Sequence, residues 1–187
     1  NYVLEGNLNY TGAVITWLKD DLELISSAAE TEALANKAVK EDGLYLVPAF
    51  SGLGAPYWDS DARATIVGMS RTTRKAELVR AALECIAYQI TDVVKAMSED
   101  SKICIGQLCV DGGPTRNAYL MQFQSDLLTA DVMVPDAEEL SAIGPAYAAG
   151  LRLGLWGEEI FTKLQRTSYK PCMEENIRKE KYSGWKN

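Results

Sequence analysis

Residues 108–128 read LCVDGGPTRNAYLMQFQSDLL. An apolar run ends at Asp111, two glycines and a proline follow, and from Asn117 the apolar side chains recur at helical spacing. A strand that hands its carboxyl end to a glycine turn and then to a helix is the building unit of an α/β sheet. Ligands of open α/β sheets bind outside the carboxyl ends of the strands. Two readings of Gly112 and Gly113 follow. They serve a tight turn that needs positive φ, or they let another molecule approach the main chain.

The flanking segments fit the same class. Lys75–Met97 is the clearest helix of the chain, with Leu78, Val79, Ala82, Leu83, Ile86, Ala87, Ile90, Val93, Val94 and Met97 on one stripe. Ile105–Val110 reads as a strand, 117–128 as a helix, Asp131–Val134 as a strand stopped by Pro135, and Leu140–Leu153 as a helix. Strand, helix, strand, helix in this order favours parallel pairing. Earlier in the chain, Tyr2–Leu8 reads as a strand end, Gly12–Ile25 and Ala28–Val39 as helices, and Leu44–Pro48 and Thr65–Met69 as short strands. A charged helix begins at Glu174. Between the two short strands lies AFSGLGAPYWDSDARA, a Gly/Pro/aromatic loop of a length that is often functional. Its carboxylates Asp59 and Asp61 read most simply as solvated loop residues. Ala142, Ala146 and Gly150 lie four apart on one ridge, which suits either close packing or a helix that moves against another domain.

Composition narrows the function. The 187 residues carry a net charge of −7, which argues against a nucleic-acid surface. No run of about 18 apolar residues is present, so no span of a membrane is expected. The four cysteines, Cys85, Cys104, Cys109 and Cys172, form no C-x-x-C pair and read as reduced thiols. There is no histidine. Ser-His-Asp and Cys-His catalysis and histidine metal sites are therefore excluded within these residues, and any chemistry here falls to carboxylates, backbone amides, hydroxyls or a bound cofactor.

The candidate binding residues form two groups. Asp111, Gly112, Gly113 and Asn117 make one. A helix starting beside the glycines aims its first amides at an anion, and Asn117 in its first turn is placed to hydrogen-bond an adenine or a ribose. Gly12 and Thr16, four apart on one helical face of YTGAVITW, make the other. A plain helix start explains Gly12 equally well.

Together, PAFSGLGAPYWDSDARATIVGMSRTTRKAELVRAALECIAYQ, VDGGPTRNAYLMQFQSDLL and SAIGPAYAAG resemble the C-terminal domain of the FGGY carbohydrate kinases over nearly the whole chain. GLGAPYWD points to the branch of that family that phosphorylates glycerol. The resemblance implies an α/β fold of the ribonuclease H-like, actin/hexokinase ATPase type, a mixed sheet with flanking helices, in one domain over 1–187 from which N-terminal strands are missing. It implies ATP or ADP with Mg2+ on the nucleotide, and nucleotide contacts at Gly12, Thr16, Gly113 and Asn117, with Asp111 and Gly112 completing the adenosine motif. It makes 142–150 an inter-domain helix.

Two positions depart from the family pattern. Thr16 stands where a glutamine is usual, and GGPTRN where GGAVAN is usual. The catalytic aspartate and the polyol-binding residues are expected outside these 187 residues. The chain is then a piece of a longer kinase, inactive alone and weak in nucleotide binding. The expected whole is a cytoplasmic homo-oligomer acting on a small polyol, expected to be glycerol, without nucleic-acid or membrane partners. A family kinase for another polyol or ketose, and a non-catalytic actin-like nucleotide module, are the competing readings.

Overall fold

The computed structural model describes residues 3–39, 43–137 and 140–187. Among the described residues, six α-helices and five strands follow one another: α1 Gly12–Thr16, α2 Glu30–Lys37, β1 Tyr45–Val47, β2 Thr65–Val67, α3 Lys75–Ser101, β3 Gln107–Cys109, α4 Ala118–Leu128, β4 Asp131–Pro135, α5 Leu140–Leu153, β5 Arg166–Tyr169 and α6 Glu175–Lys186. A π-turn, Trp17–Asp21, continues α1, and a 3-10 turn, Gly113–Arg116, precedes α4. β1 and β2 form an antiparallel pair. The second sheet has the order β3-β4-β5, with β3 and β4 parallel, as their helical crossover requires, and β5 antiparallel to β4.

α3 is the axis of the molecule. Glu77 closes its first turn by accepting the Arg74 N–H at 2.8 Å, and Lys102 ends it in the left-handed region at φ 60°. The expected stripe is buried at Val79, Ala82, Leu83, Ile86, Ala87 and Val93. Between Val79 and Tyr88, however, every residue is buried, because α2, β1 and α4 pack around the helix. Each Leu or Ile fully removed from water there contributes roughly 1.5–3 kcal/mol.

The buried charged residues of α3 are paired. Glu84 accepts from the Tyr119 hydroxyl at 2.6 Å and lies 3.7 Å from Arg80 Nε. Asp92 accepts from Tyr57 and Trp185 at 2.7 Å each and from Tyr182 at 2.5 Å. Asp92 thereby fastens both the aromatic loop and α6 to α3.

Several expectations are corrected. Residues 3–8 form no strand, and Tyr2 lies outside the described residues. The first helix ends at Asp21 rather than Ile25, because its backbone widens into a π-turn and Leu22 N–H returns to the Trp17 carbonyl. The sequence does not predict β5. Its RTSY has no apolar alternation, and it exists through its ladder with β4. On the small-residue ridge, Ala142 and Ala146 are exposed, while Gly150 is covered by the Trp156 indole, so that glycine serves packing inside the C-terminal segment. Asp59 is not merely solvated: its carboxylate accepts the N–H groups of Asp61 and Ala62 at 2.9 and 3.1 Å and holds the loop's return.

Candidate nucleotide site

A cleft of about 540 Å³ opens where α1, α2, α3 and the turn before α4 meet. Its floor is apolar, with Leu83 and Ile86 from α3 and Leu120 from α4. Gly12, Thr16, Gly113 and Asn117 all line it, although about a hundred residues separate the two pairs in sequence. Asp111 and Gly112 are not part of its lining.

Gly112 and Gly113 have different reasons to be glycine. Gly112 sits at φ 95°, ψ 173°, a conformation essentially reserved for glycine, and its N–H donates to Asp111 Oδ1 at 2.8 Å. Asp111 and Gly112 therefore build the turn. Gly113 has no positive φ, and a Cβ there would meet no atom within 4 Å. Gly12 is the same: no positive φ, nothing within 4 Å. Neither backbone strain nor packing requires these two glycines. Their missing side chains leave room in the cleft itself.

Asn117 is not a free side chain at the helix start. It is the N-cap of α4, its Oδ1 accepting the Leu120 N–H at 2.9 Å. An N–H can only donate, so the amide's NH2 faces the other way, where it donates to Thr31 Oγ1 at 3.0 Å. The Thr31 hydroxyl in turn donates a hydrogen bond to the Ala28 carbonyl at 2.6 Å. This relay fixes which face of Asn117 meets the cleft, and leaves one N–H and one lone pair for a ligand. Thr16 also has an internal partner, its hydroxyl donating to the Gly12 carbonyl at 3.4 Å.

The expectation that the amides of the following helix stand open to an anion is corrected. The 3-10 turn intervenes, held by Thr115 N–H and Oγ on the Gly112 carbonyl at 3.1 and 2.7 Å. Of the α4 amides, Leu120 N–H is taken by Asn117 and Ala118 N–H by the Glu32 carboxylate at 2.8 Å.

Thr31 and Glu32 were missed in sequence because nothing local marks them; their partners lie 86 positions away. The turn that presents them is built by Glu30, which accepts from the backbone N–H of Ser26 and Ser27 and from the Ser26 hydroxyl. These hydrogen bonds hold its carboxyl below the usual carboxylate range. Lys19 and Arg116 bring cationic groups to the same cleft, and Asp20, paired with Lys19 at 2.7 Å, brings a carboxylate. Among the described residues, no group of three or more His, Cys, Asp or Glu is placed to hold a metal ion. All four cysteines are free, and among the described residues no helix is long and apolar enough to cross a membrane.

The chain is 51% identical over 189 residues to the glycerol kinase of Petrotoga mobilis, covering all of this chain and 38% of that protein. The structure superposes on a Plasmodium falciparum glycerol kinase with ADP at a TM-score of 0.85 and 35% identity, over 94% of this chain and 35% of the other. It also superposes on a xylulose kinase from Rhodospirillum rubrum at a TM-score of 0.75, over 95% of this chain and 37% of the other, where 24% identity speaks for the fold alone. The expected actin/hexokinase-type α/β fold is thus the one observed. Residues 1–153 match the C-terminal domain of the FGGY family of carbohydrate kinases, and the chain belongs to that family.

Proposed function

We propose that these residues are the nucleotide-binding half of an ATP-dependent glycerol kinase, in which residues 1–187 act as a single C-terminal domain. The observation that carries this is the pairing of Gly12 and Gly113 across one cleft, each without a Cβ that its surroundings would exclude. In this reading Gly12, Thr16, Gly113 and Asn117 contact the nucleotide, and Asp111 and Gly112 shape the turn that brings Gly113 to it. The names of the relatives support glycerol as the acceptor.

The whole reaction would transfer the γ-phosphoryl of ATP to a glycerol hydroxyl, giving glycerol 3-phosphate and ADP. Such transfer depends on positioning and charge stabilisation more than on covalent chemistry. The part supplied here is positioning. The apolar floor accepts a base, the Asn117 amide offers one donor and one acceptor, and Lys19 and Arg116 offset phosphate charge. Mg2+ enters as part of the substrate, carried on the phosphates. The chain spans 38% of the length of the relatives it matches, so the residue that accepts the glycerol proton is assigned to the rest of the enzyme. We place the enzyme in the cytoplasm as a homo-oligomer.

The test is ADP release by the full-length protein with Mg-ATP and glycerol, against a panel of polyols and ketoses. Turnover confined to glycerol is the expected result. Turnover on another polyol or ketose only would move the protein to a different branch of the family, and none on any would leave a nucleotide-binding module.

A further inference from the structure

Glu32 has no place in the site as read from sequence, yet it lines the cleft beside Asn117 and is half-buried there. Its carboxylate accepts the Ala118 N–H, in the first turn of an 11-residue helix. That is where a phosphate would otherwise find both amides and the positive end of a helix dipole. With Asn117 on Leu120 N–H and Glu32 on Ala118 N–H, two amides of that turn are satisfied by protein groups. One of those groups carries a negative charge. A second anion at the same place would meet a like charge within a few ångströms, in a cleft whose floor is apolar.

We propose that Glu32 is the residue that orients the nucleotide: it bars phosphate from the first turn of α4 and reserves that end of the cleft for the uncharged nucleoside. This rests on the nucleotide reading of the cleft. The nucleoside then lies against Leu120 and the open face of Asn117, and the phosphates lie toward α1 and its continuation, where Lys19, paired with Asp20 at 2.7 Å, lines the cleft. Thr31, the neighbour of Glu32, is a positioning residue for the same end, since it sets the orientation of the Asn117 amide.

The test measures adenosine binding to the full-length protein by calorimetry, with and without inorganic pyrophosphate, in the wild type and in Glu32→Gln. Glutamine keeps a carbonyl oxygen for Ala118 N–H and removes the charge. In the wild type, pyrophosphate is expected to leave adenosine affinity unchanged, because the two occupy different ends. In Glu32→Gln, pyrophosphate is expected to reach the α4 turn and weaken adenosine binding about tenfold or more, the scale set by one unit charge at close range.

A role confined to helix capping would change the melting temperature without creating this competition. Pyrophosphate competing with adenosine in the wild type overturns the proposal. So does a folded Glu32→Gln protein that binds adenosine without competition, or that binds none. Glu32→Ala takes the place of the glutamine variant should that one not fold. Wild-type protein that binds neither adenosine nor ADP overturns the nucleotide reading itself, and this proposal with it.

Discussion

At the scale of single residues, the adjacent glycines separate conformation from recognition. Gly112 is needed by the backbone at φ 95°, and Gly113 is needed by nothing in the protein around it. Gly112→Ala is therefore expected to cost about 1–3 kcal/mol of stability. Gly113→Ala should leave stability within about 0.5 kcal/mol while reducing ADP affinity at least about tenfold, since its methyl group stands in the cleft. Denaturant unfolding and calorimetry on the two variants check both halves. Equal ADP affinity in Gly113→Ala and wild type would contradict the assignment.

Glu77 gives a pH prediction at the same scale. Burial pushes its carboxyl up, but hydrogen bonds from backbone N–H groups, those of Arg74 and Val39 among them, and the Arg80 charge outweigh burial and hold it below its ordinary value of 4.5. A carboxyl lowered in the fold contributes stability above its unfolded pKa and loses it as pH falls through the lowered folded value. The wild type should therefore lose more of its melting temperature than Glu77→Gln between pH 7 and about pH 3.5. Parallel curves would remove Glu77 as the cause.

At the scale of elements, the packing around α3 turns on Asp92. This buried carboxylate takes hydrogen bonds from the loop at Tyr57 and from α6 at Tyr182 and Trp185, and Lys186 Nζ lies 3.7 Å away. Burial, and then the hydrogen bond to Asp92, push the Tyr182 hydroxyl well above its ordinary range, so it stays a donor. Trp185 lies stacked on Tyr88 at 5.0 Å, which gives α6 its apolar anchor. Asp92→Asn turns an acceptor set into one with an NH2 facing donors. It should cost about 2–4 kcal/mol and release α6 before the core opens. Limited proteolysis within 175–186, compared with urea unfolding of the whole, measures this. Cleavage at the wild-type rate would show that α6 is held by stacking alone.

At the scale of the molecule, two edges stand out among the described residues. β3 pairs only with β4, and β2 pairs only with β1 while exposing Ile66 and Val67. Unpaired strand edges with apolar side chains recruit other strands. Residues 1–187 expressed alone should therefore associate with rising concentration. Light scattering that reports a monomer over a wide concentration range would contradict this.

Much of the fold was legible in the chain. The stripe on α3, the apolar runs of β3 and β4 and the glycine turn are local patterns, and local patterns specify helices, strands and turns directly. Gly12, Thr16, Gly113 and Asn117 are also readable in the sequence, through resemblance to a family whose motifs keep their spacing. The tertiary structure alone decided the rest. It put the two pairs in one cleft and gave Asp111 and Gly112 to the turn. It made Asn117 a cap held by Thr31, and set Glu32 on the first turn of α4. The physical reason is range. A hydrogen bond between residues 86 positions apart leaves no periodicity in either segment. A carboxylate such as Asp92 or Glu32 reads as a solvated charge until the donors around it are brought together by folding.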